Sequence, residues 1–461
     1  MSFAHDRRWL AVVFLALAIL FLIANRGAYR GYFSGDDLDT LAWTHDSDAG
    51  DFVRGLLLPK FYAHNFRPAG HLFYFLMVRA AGLRFPPYVA VIQALHLLNI
   101  VLLWLLARKL GLSIPAAFAA ALFFGFHMAV FDVYWKPMYV FDLLCGFFCL
   151  LSLLAFANQR IVLSFVCFWL AYKSKEVAIL LPVVLAAWEW WFGARRWKRL
   201  IPFVPVSLFF GVSALLVNRS HDNDYTLRFS PEAIWTCVKF YFSKLFLIPY
   251  AGLAILPLPF LVRDRVVRFG VTAFLAFLAP MLFLPGRLFG AYLCVPLIGA
   301  ALALGAVAAR IPSMRSLRMG HFLSRARKPA VLVPDGASRT FFAWAVVVPL
   351  FALWIPYNYA WLRHDRRARL AAADENRAYV AALAAHARRY PRVATFIYNG
   401  QPDDIYPWGV AGALRLVHPD ATIVAVPEGE PGTVPEEASP WLGVLNWDAV
   451  RRRLTIVTRT P

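Results

Sequence analysis

Charged side chains are scarce in this chain, and acidic ones are the scarcest. Asp, Glu, Lys and Arg make up 16% of the 461 residues, with 27 acidic positions against 47 basic, whereas a soluble globular domain carries about 25% charged residues. Hydrophobic residues fill 60% of the chain and the mean hydropathy is +0.57, so water is not the main solvent of the fold. Cysteine is also in short supply. Cys145, Cys149, Cys167, Cys237 and Cys294 all lie inside apolar runs and show no metal-ligand spacing, which argues against a disulfide framework or a zinc site and reads them as small core residues. No short internal repeat is evident. A net charge of +20 would suit nucleic acid if the basic residues shared one polar surface with interleaved aromatics. They stand instead in short clusters between apolar runs, which is what orientation in a bilayer produces and leaves no call for nucleic acid.

Apolar runs fall at about 9–24, 88–107, 114–131, 137–157, 161–173, 177–192, 199–217, 235–260, 267–285, 288–309 and 340–361, many of them near the ~20 residues that cross a hydrocarbon core as helix. The N-terminal run follows Arg7 and Arg8 and resembles a signal peptide, but it reads as a membrane helix that stays. A further stretch, His71 to Leu83, is short and carries Arg79. If it spans, Arg108/Lys109, the cluster at Arg195–Arg199, the cluster at Arg263–Arg268 and the basic linker 310–339 all land outside. As a juxtamembrane helix it puts all of them on the cytoplasmic side with Arg7 and Arg8. This reading needs two short spans around Lys173–Glu176; one continuous helix there would reverse everything after it. The linker 310–339 has seven Lys and Arg against the single acid Asp335, which suits a cytoplasmic loop touching anionic lipid.

The expected fold is therefore an all-α polytopic membrane protein of about 11 transmembrane helices, with an outer juxtamembrane helical loop and a small C-terminal α/β extracytoplasmic domain. Residues 1–361 form the transmembrane domain, with 25–87 as the first external loop, and 362–461 form the outer domain. In the latter, Val393–Tyr398 and Ala421–Val426 read as strands flanking a helix near Gly409–Val417. The short Arg-rich loops point to a bacterial inner membrane, N-terminus cytoplasmic and C-terminus periplasmic.

With sidedness set, the unusual polar residues gather on the outer face. They are Asp36-Asp37, Asn65-Phe66-Arg67-Pro68 with His71, His127 and Lys136, Lys173-Ser174-Lys175-Glu176, and Arg287 followed by Tyr292. Sugar transfer from a polyprenyl phosphate is the chemistry that suits them. An acceptor hydroxyl needs a carboxylate to take its proton, and a departing phosphate needs cations. Asp36 or Asp37 would be the base, Arg67, Lys175 and Arg287 would hold the donor phosphate, and His71, Glu176 and Tyr292 would support them. No cofactor is required, although adjacent acids such as Asp36 and Asp37 are also a ligand set for a divalent metal.

These motifs, in this order, resemble the C-type glycosyltransferase superfamily, which includes the protein O-mannosyltransferases and the lipid A aminoarabinose transferases. The likeness covers roughly residues 5–360, and Asp36-Asp37 and Lys175-Glu176 match the Asp-Asp and Lys-Glu motifs of O-mannosyltransferase-like members. It implies a dolichyl- or undecaprenyl-phosphate sugar donor and a protein, lipid or glycan acceptor approaching from outside. Arg67-Pro68-Ala69 stands where that family often has His-Pro-Pro or Arg-Pro-Leu, and His71 is displaced from the proline.

Each residue also has an ordinary reading. Asp36 and Asp37 would cap a helix, Lys175-Glu176 would be an ion pair at a span end, and Arg287 would be an interfacial anchor. Asp142 would pair with Lys136, a turn and a half away. Gln401-Pro402-Asp403-Asp404 would be a turn. A transporter or flippase of lipid-linked glycans competes, but it should place charge near mid-membrane and show related halves. A surface-polysaccharide polymerase or ligase should carry its key residues in a late loop. The order of the motifs favours an inverting glycosyltransferase, with one base and no evident covalent nucleophile.

Overall fold

The computed structural model describes residues 3–59, 66–218, 224–323, 348–349, 351–360, 362–386, 393–418, 422–427 and 441–459. Asn65, most of the basic linker (324–339), part of the last apolar run (340–347, 350, 361) and Ala421 lie outside them. The chain opens with helix α1 (Phe3–Ala24), whose side chains from Val12 to Ile23 are largely exposed and apolar, as a lipid-facing helix requires. The first loop then folds into three short helices, α2 (Asp37–Asp46), α3 (Ala49–Leu57) and α4 (Pro68–Ala81). Pro68 opens α4 at the position where its missing N–H costs nothing. The stretch placed along the membrane surface by the sidedness of the basic clusters is a separate helix, packed against α2, α7 and α8.

The bundle continues with α5 (Phe85–Lys109), α6 (Ile114–Gly125), α7 (Val140–Ala157), α8 (Ile161–Ser174), α9 (Leu181–Trp191), α10 (Phe203–Asn218), α11 (Pro231–Phe246), α12 (Leu258–Leu261), α13 (Arg265–Leu278), α14 (Pro296–Leu323) and a helical stretch, α15, at 351–360. Among the described residues three helical runs are long and apolar enough to cross a membrane unaided: Phe85–Lys109, Pro137–Ala157 and Arg265–Phe283. Two more qualify as bent pairs. Ile114–Gly125 turns by 68° into Met128–Tyr134, and Pro231–Phe246 turns by 80° into Ala251–Leu261. The second pair lies on the run read from sequence as a single span at 235–260. Leu247 and Tyr250 take left-handed backbone there, around Pro249, and end α11. Between α8 and α9 the chain also breaks, at Lys175, whose backbone is extended. Helix α14 runs into the expected linker as far as Leu323.

After the bundle, α16 (Arg363–His386) leads to strand β1 (Val393–Asn399), then helix α17 (Pro407–Val417) and strand β2 (Thr422–Pro427), and the chain closes with strands β3 (Leu442–Asp448) and β4 (Arg453–Arg459). The sheet order is β2-β1-β3-β4, with β1 parallel to both neighbours and β4 antiparallel to β3. Two strands and the helix between them coincide with the segments read from the sequence, and β3 and β4 are additional.

This unit is clamped to the first loop. Asn376 donates to the Phe33 carbonyl at 2.9 Å, Arg377 reaches the carbonyls of Arg30 and Gly31, and Arg415 pairs with Asp39 at 3.0 Å. Helix α17 lies on α2 so closely that a Cβ at Gly412 would stand 2.5 Å from the Asp39 Cα, so only glycine fits. Below it, Asn25 ties α1 to the bundle by accepting from the Trp135 indole at 3.0 Å and donating to Tyr359 at 2.9 Å.

Candidate active site

The loop before α2 makes a tight bend. Gly35 has φ +56 and its N–H donates to the Asp404 carbonyl at 2.6 Å, and it also forms an isolated parallel bridge with Ile405. The bend sends the two adjacent acids into different surroundings. Asp37 opens α2 and is fully buried; its Oδ1 accepts from the Tyr74 hydroxyl at 2.5 Å and its Oδ2 from the Ser34 N–H at 3.0 Å. Burial pushes its carboxyl up to about 7 from 3.8, against the pull of these two donors and of Lys136. Asp36 is half-buried at the N-cap, uses no side-chain capping bond, and accepts from the Trp408 indole at 2.7 Å. The two acids thus differ in burial and in partners, with both oxygens of Asp37 accepting hydrogen bonds inside the fold. Among the described residues no group of three His, Cys, Asp or Glu gathers for a metal.

The cations are arranged in pairs. Arg67, at the start of α4, binds Glu176 through Nε at 2.8 Å and Nη2 at 3.1 Å. Burial opposes its charge, but Glu176 more than offsets this and its pKa lies above the ordinary value. Lys175 is buried against Asp142, 2.6 Å from both carboxylate oxygens, with the Tyr292 ring 4.3 Å away. The expected pairing of Asp142 with Lys136 is therefore corrected. Lys136 precedes a 3-10 turn at Pro137–Tyr139 and α7 starts only at Val140, so the two residues do not share a helix. Lys136 instead meets Asp404 at 3.2 Å, and Arg369 meets Asp404 and Asp132.

Arg287 is different. Its Nε donates to the Tyr292 hydroxyl at 3.3 Å and its guanidinium lies 4.2 Å from the Tyr225 ring centroid. Among the described residues it makes no ion pair, and Asp36 makes none either. Tyr225 and Tyr406 each lie within electrostatic reach of both. With Arg67 balanced by Glu176 and Lys175 by Asp142, one cation and one acid are left without a counter-charge across the same patch of tyrosines.

Of the supporting residues, Tyr292 links Lys175 to Arg287. His71 accepts the Arg67 N–H at 3.0 Å through Nδ1 and stacks on Phe66; burial lowers its pKa to about 3, so it is neutral. His127 bonds the Leu245 carbonyl at 2.8 Å, and Lys173 donates to the Leu58 carbonyl at 2.7 Å. The residues 402–405 do form a turn, closed by the Ile405 N–H on the Pro402 carbonyl, and Asp404 at its centre also anchors Lys136. Sequence reasoning missed Trp408, Tyr406 and Tyr225. The first two sit more than 365 residues from Asp36, beyond any local pattern, and their one signal was an aromatic pair flanking the proline that opens α17.

No protein-family model and no curated protein sequence matches the chain. Solved structures do. ArnT from Cupriavidus metallidurans bound to undecaprenyl phosphate superposes with a TM-score of 0.56 at 12% identity, covering 97% of each chain. The apo form of ArnT from the same organism superposes with a TM-score of 0.57 at 13% identity, covering 98% of each. At this identity the likeness concerns the fold. The helical bundle and the terminal sheet unit together have a fold similar to that of ArnT.

Proposed function

We propose that the chain transfers a sugar from a polyprenyl-phosphate donor to an acceptor hydroxyl, with inversion at the anomeric carbon. The observation that carries this reading is the residual charge pattern, one uncompensated cation at Arg287 and one uncompensated acid at Asp36 around shared tyrosines. A donor phosphate supplies the anion that Arg287 lacks. The fold likeness adds support, since one ArnT structure holds undecaprenyl phosphate.

In this reading Asp36 is the base. It is the reachable acid of the pair, and the Trp408 N–H fixes one of its oxygens. Asp37 is a positioning residue, anchoring the bend through Tyr74 and Ser34. Arg287, with Arg67 and Lys175 behind it, stabilises the charge that grows on the phosphate as the bond to the sugar lengthens. The carboxylates of Glu176 and Asp142 hold those two cations in place rather than cancelling their use, because each retains N–H donors. With Asp36 taken as the base, the reaction needs no covalent intermediate, and the reading is a single displacement with inversion. The same reading takes eleven spans, a bundle of 1–361, an outer unit of 362–461 and a site on the extracytoplasmic face of a bacterial inner membrane, with the N-terminus cytoplasmic.

The test is transfer of labelled sugar from synthetic polyprenyl-phosphate sugars in proteoliposomes. Asp36→Asn is expected to lower kcat by about 10²–10⁴ with donor binding retained, and Arg287→Gln to weaken donor binding. If the wild type binds lipid-linked glycans and moves them across the bilayer without breaking them, the transporter reading replaces this one.

A further inference from the structure

Trp408 and Tyr406 stand beside the proposed base, yet the reaction as described uses only one N–H of the pair. The Trp408 indole is fixed at its edge by the bond to Asp36, while the residue as a whole remains 52% exposed. An exposed tryptophan normally keeps rotamer freedom; this one is held with its edge satisfied and much of its surface uncovered. Tyr406 lies 5.0 Å away, centroid to centroid, at an interplanar angle of 44°, so the two rings form an angled wall next to the carboxylate. The wall is rigidly mounted. Helix α17 is locked onto α2 by Arg415–Asp39 and by the close approach at Gly412, and the preceding turn is locked by Asp404 on Lys136 and Arg369.

A rigid aromatic wall with a carboxylate at its edge fits a ring that is apolar on its face and hydroxylated at its rim. A pyranose has that character. An extended peptide would look for a strand edge to pair with, whereas the elements meeting at Asp36 are the first turns of α2 and α17, the latter opened by Pro407, which has no N–H to offer.

We propose that the acceptor is itself a sugar, its ring stacked on Trp408 and flanked by Tyr406, with the reacting hydroxyl directed at Asp36. This rests on the sugar-transfer reading above. In the step, the acceptor oxygen bonds to the anomeric carbon as the bond from that carbon to the phosphate oxygen breaks. The hydroxyl proton passes to Asp36 and the electron pair leaves with the phosphate.

The experiment uses the full chain in proteoliposomes loaded with the donor panel. It measures donor hydrolysis by water alone and transfer to three acceptor types, methyl pyranosides, Ser/Thr peptides and simple aliphatic alcohols. Pyranosides are expected to show a KM at least about tenfold below the others. Trp408→Ala is expected to raise that KM by about tenfold or more. Trp408→Phe keeps a ring and loses the N–H, so it is expected to hold KM within a few-fold while lowering kcat; this separates stacking from mere folding support. A preference for peptide, or a Trp408→Ala variant whose KM for pyranoside is unchanged, overturns the proposal. If donor is hydrolysed but all acceptors serve alike, the acceptor inference alone falls; if no donor is bound or hydrolysed, the sugar-transfer reading falls with it.

Discussion

Replacing Asp37 by Asn should make the protein more stable at neutral and alkaline pH, and by an amount that depends on pH in a defined direction. The carboxyl is fully buried and titrates near 7 in the fold, against 3.8 when free. A carboxyl raised in this way leaves the folded state holding a proton that the unfolded chain has already lost, so stability falls as pH rises between those two values and is level above them. About three pH units of displacement correspond to a cost on the order of 4 kcal/mol once the group is ionised. Asparagine removes that cost and preserves both contacts, since its oxygen can accept the Ser34 N–H while its amide donates to Tyr74, whose hydroxyl accepts as well as donates. Melting midpoints in detergent, taken from pH 4 to pH 9 for both proteins, are the assay. The two curves are expected to lie close together near pH 4, to diverge up to about pH 7 and then to run parallel, several degrees apart. A gap that does not change with pH refutes the argument that burial governs this carboxyl. A loss of sugar transfer in Asp37→Asn as deep as in Asp36→Asn would refute the assignment of positioning to one acid and proton abstraction to the other.

Other consequences follow from the paired charges and the docked tail. Asp142→Leu and Lys175→Met should each destabilise the protein by about 3–5 kcal/mol by stranding a buried charge, and the double variant should recover most of that loss; midpoints of all four proteins in one detergent check the cycle, and additive losses would show that the pair is not coupled. Arg67→Lys should weaken donor binding by about tenfold or more, because an ammonium cannot reproduce the two-point grip on Glu176, as measured by donor titration. Gly412→Val should separate α17 from Asp39 and abolish transfer while leaving donor binding to the bundle intact, with limited proteolysis of the tail reporting the separation.

Much of this was visible in the chain before any coordinates, and the parts that were not have physical causes. The apolar runs found helices because burial in lipid leaves a length and composition signature that tertiary context rarely overrides. The bends at Gly125–Met128 and Phe246–Ala251 were hidden because an apolar run stays apolar through a break; Pro249 was the available warning. The adjacency of Asp36 and Asp37 advertised a site, but not which acid faced it. That choice is set by helix phase: Asp37 shares a face with Leu41 and Thr44, all three buried, while Asp36 stands one residue before the helix and escapes it. The same logic explains Lys175 and Glu176. The extended backbone at Lys175, just before the helical turn that Glu176 opens, sends the neighbouring side chains in different directions, so each found its own partner, Asp142 and Arg67, and no i-to-i+4 rule could have named either. What remained illegible is the part built by contact between distant segments, the Trp408 bond to Asp36 across 372 residues and the Asp404 anchor on Lys136 across 268. Because the Trp408 bond sits on the proposed base, the proposed reaction gives the terminal unit a part in the site as well as in the fold, and the Trp408 variants are the test of whether it selects the acceptor.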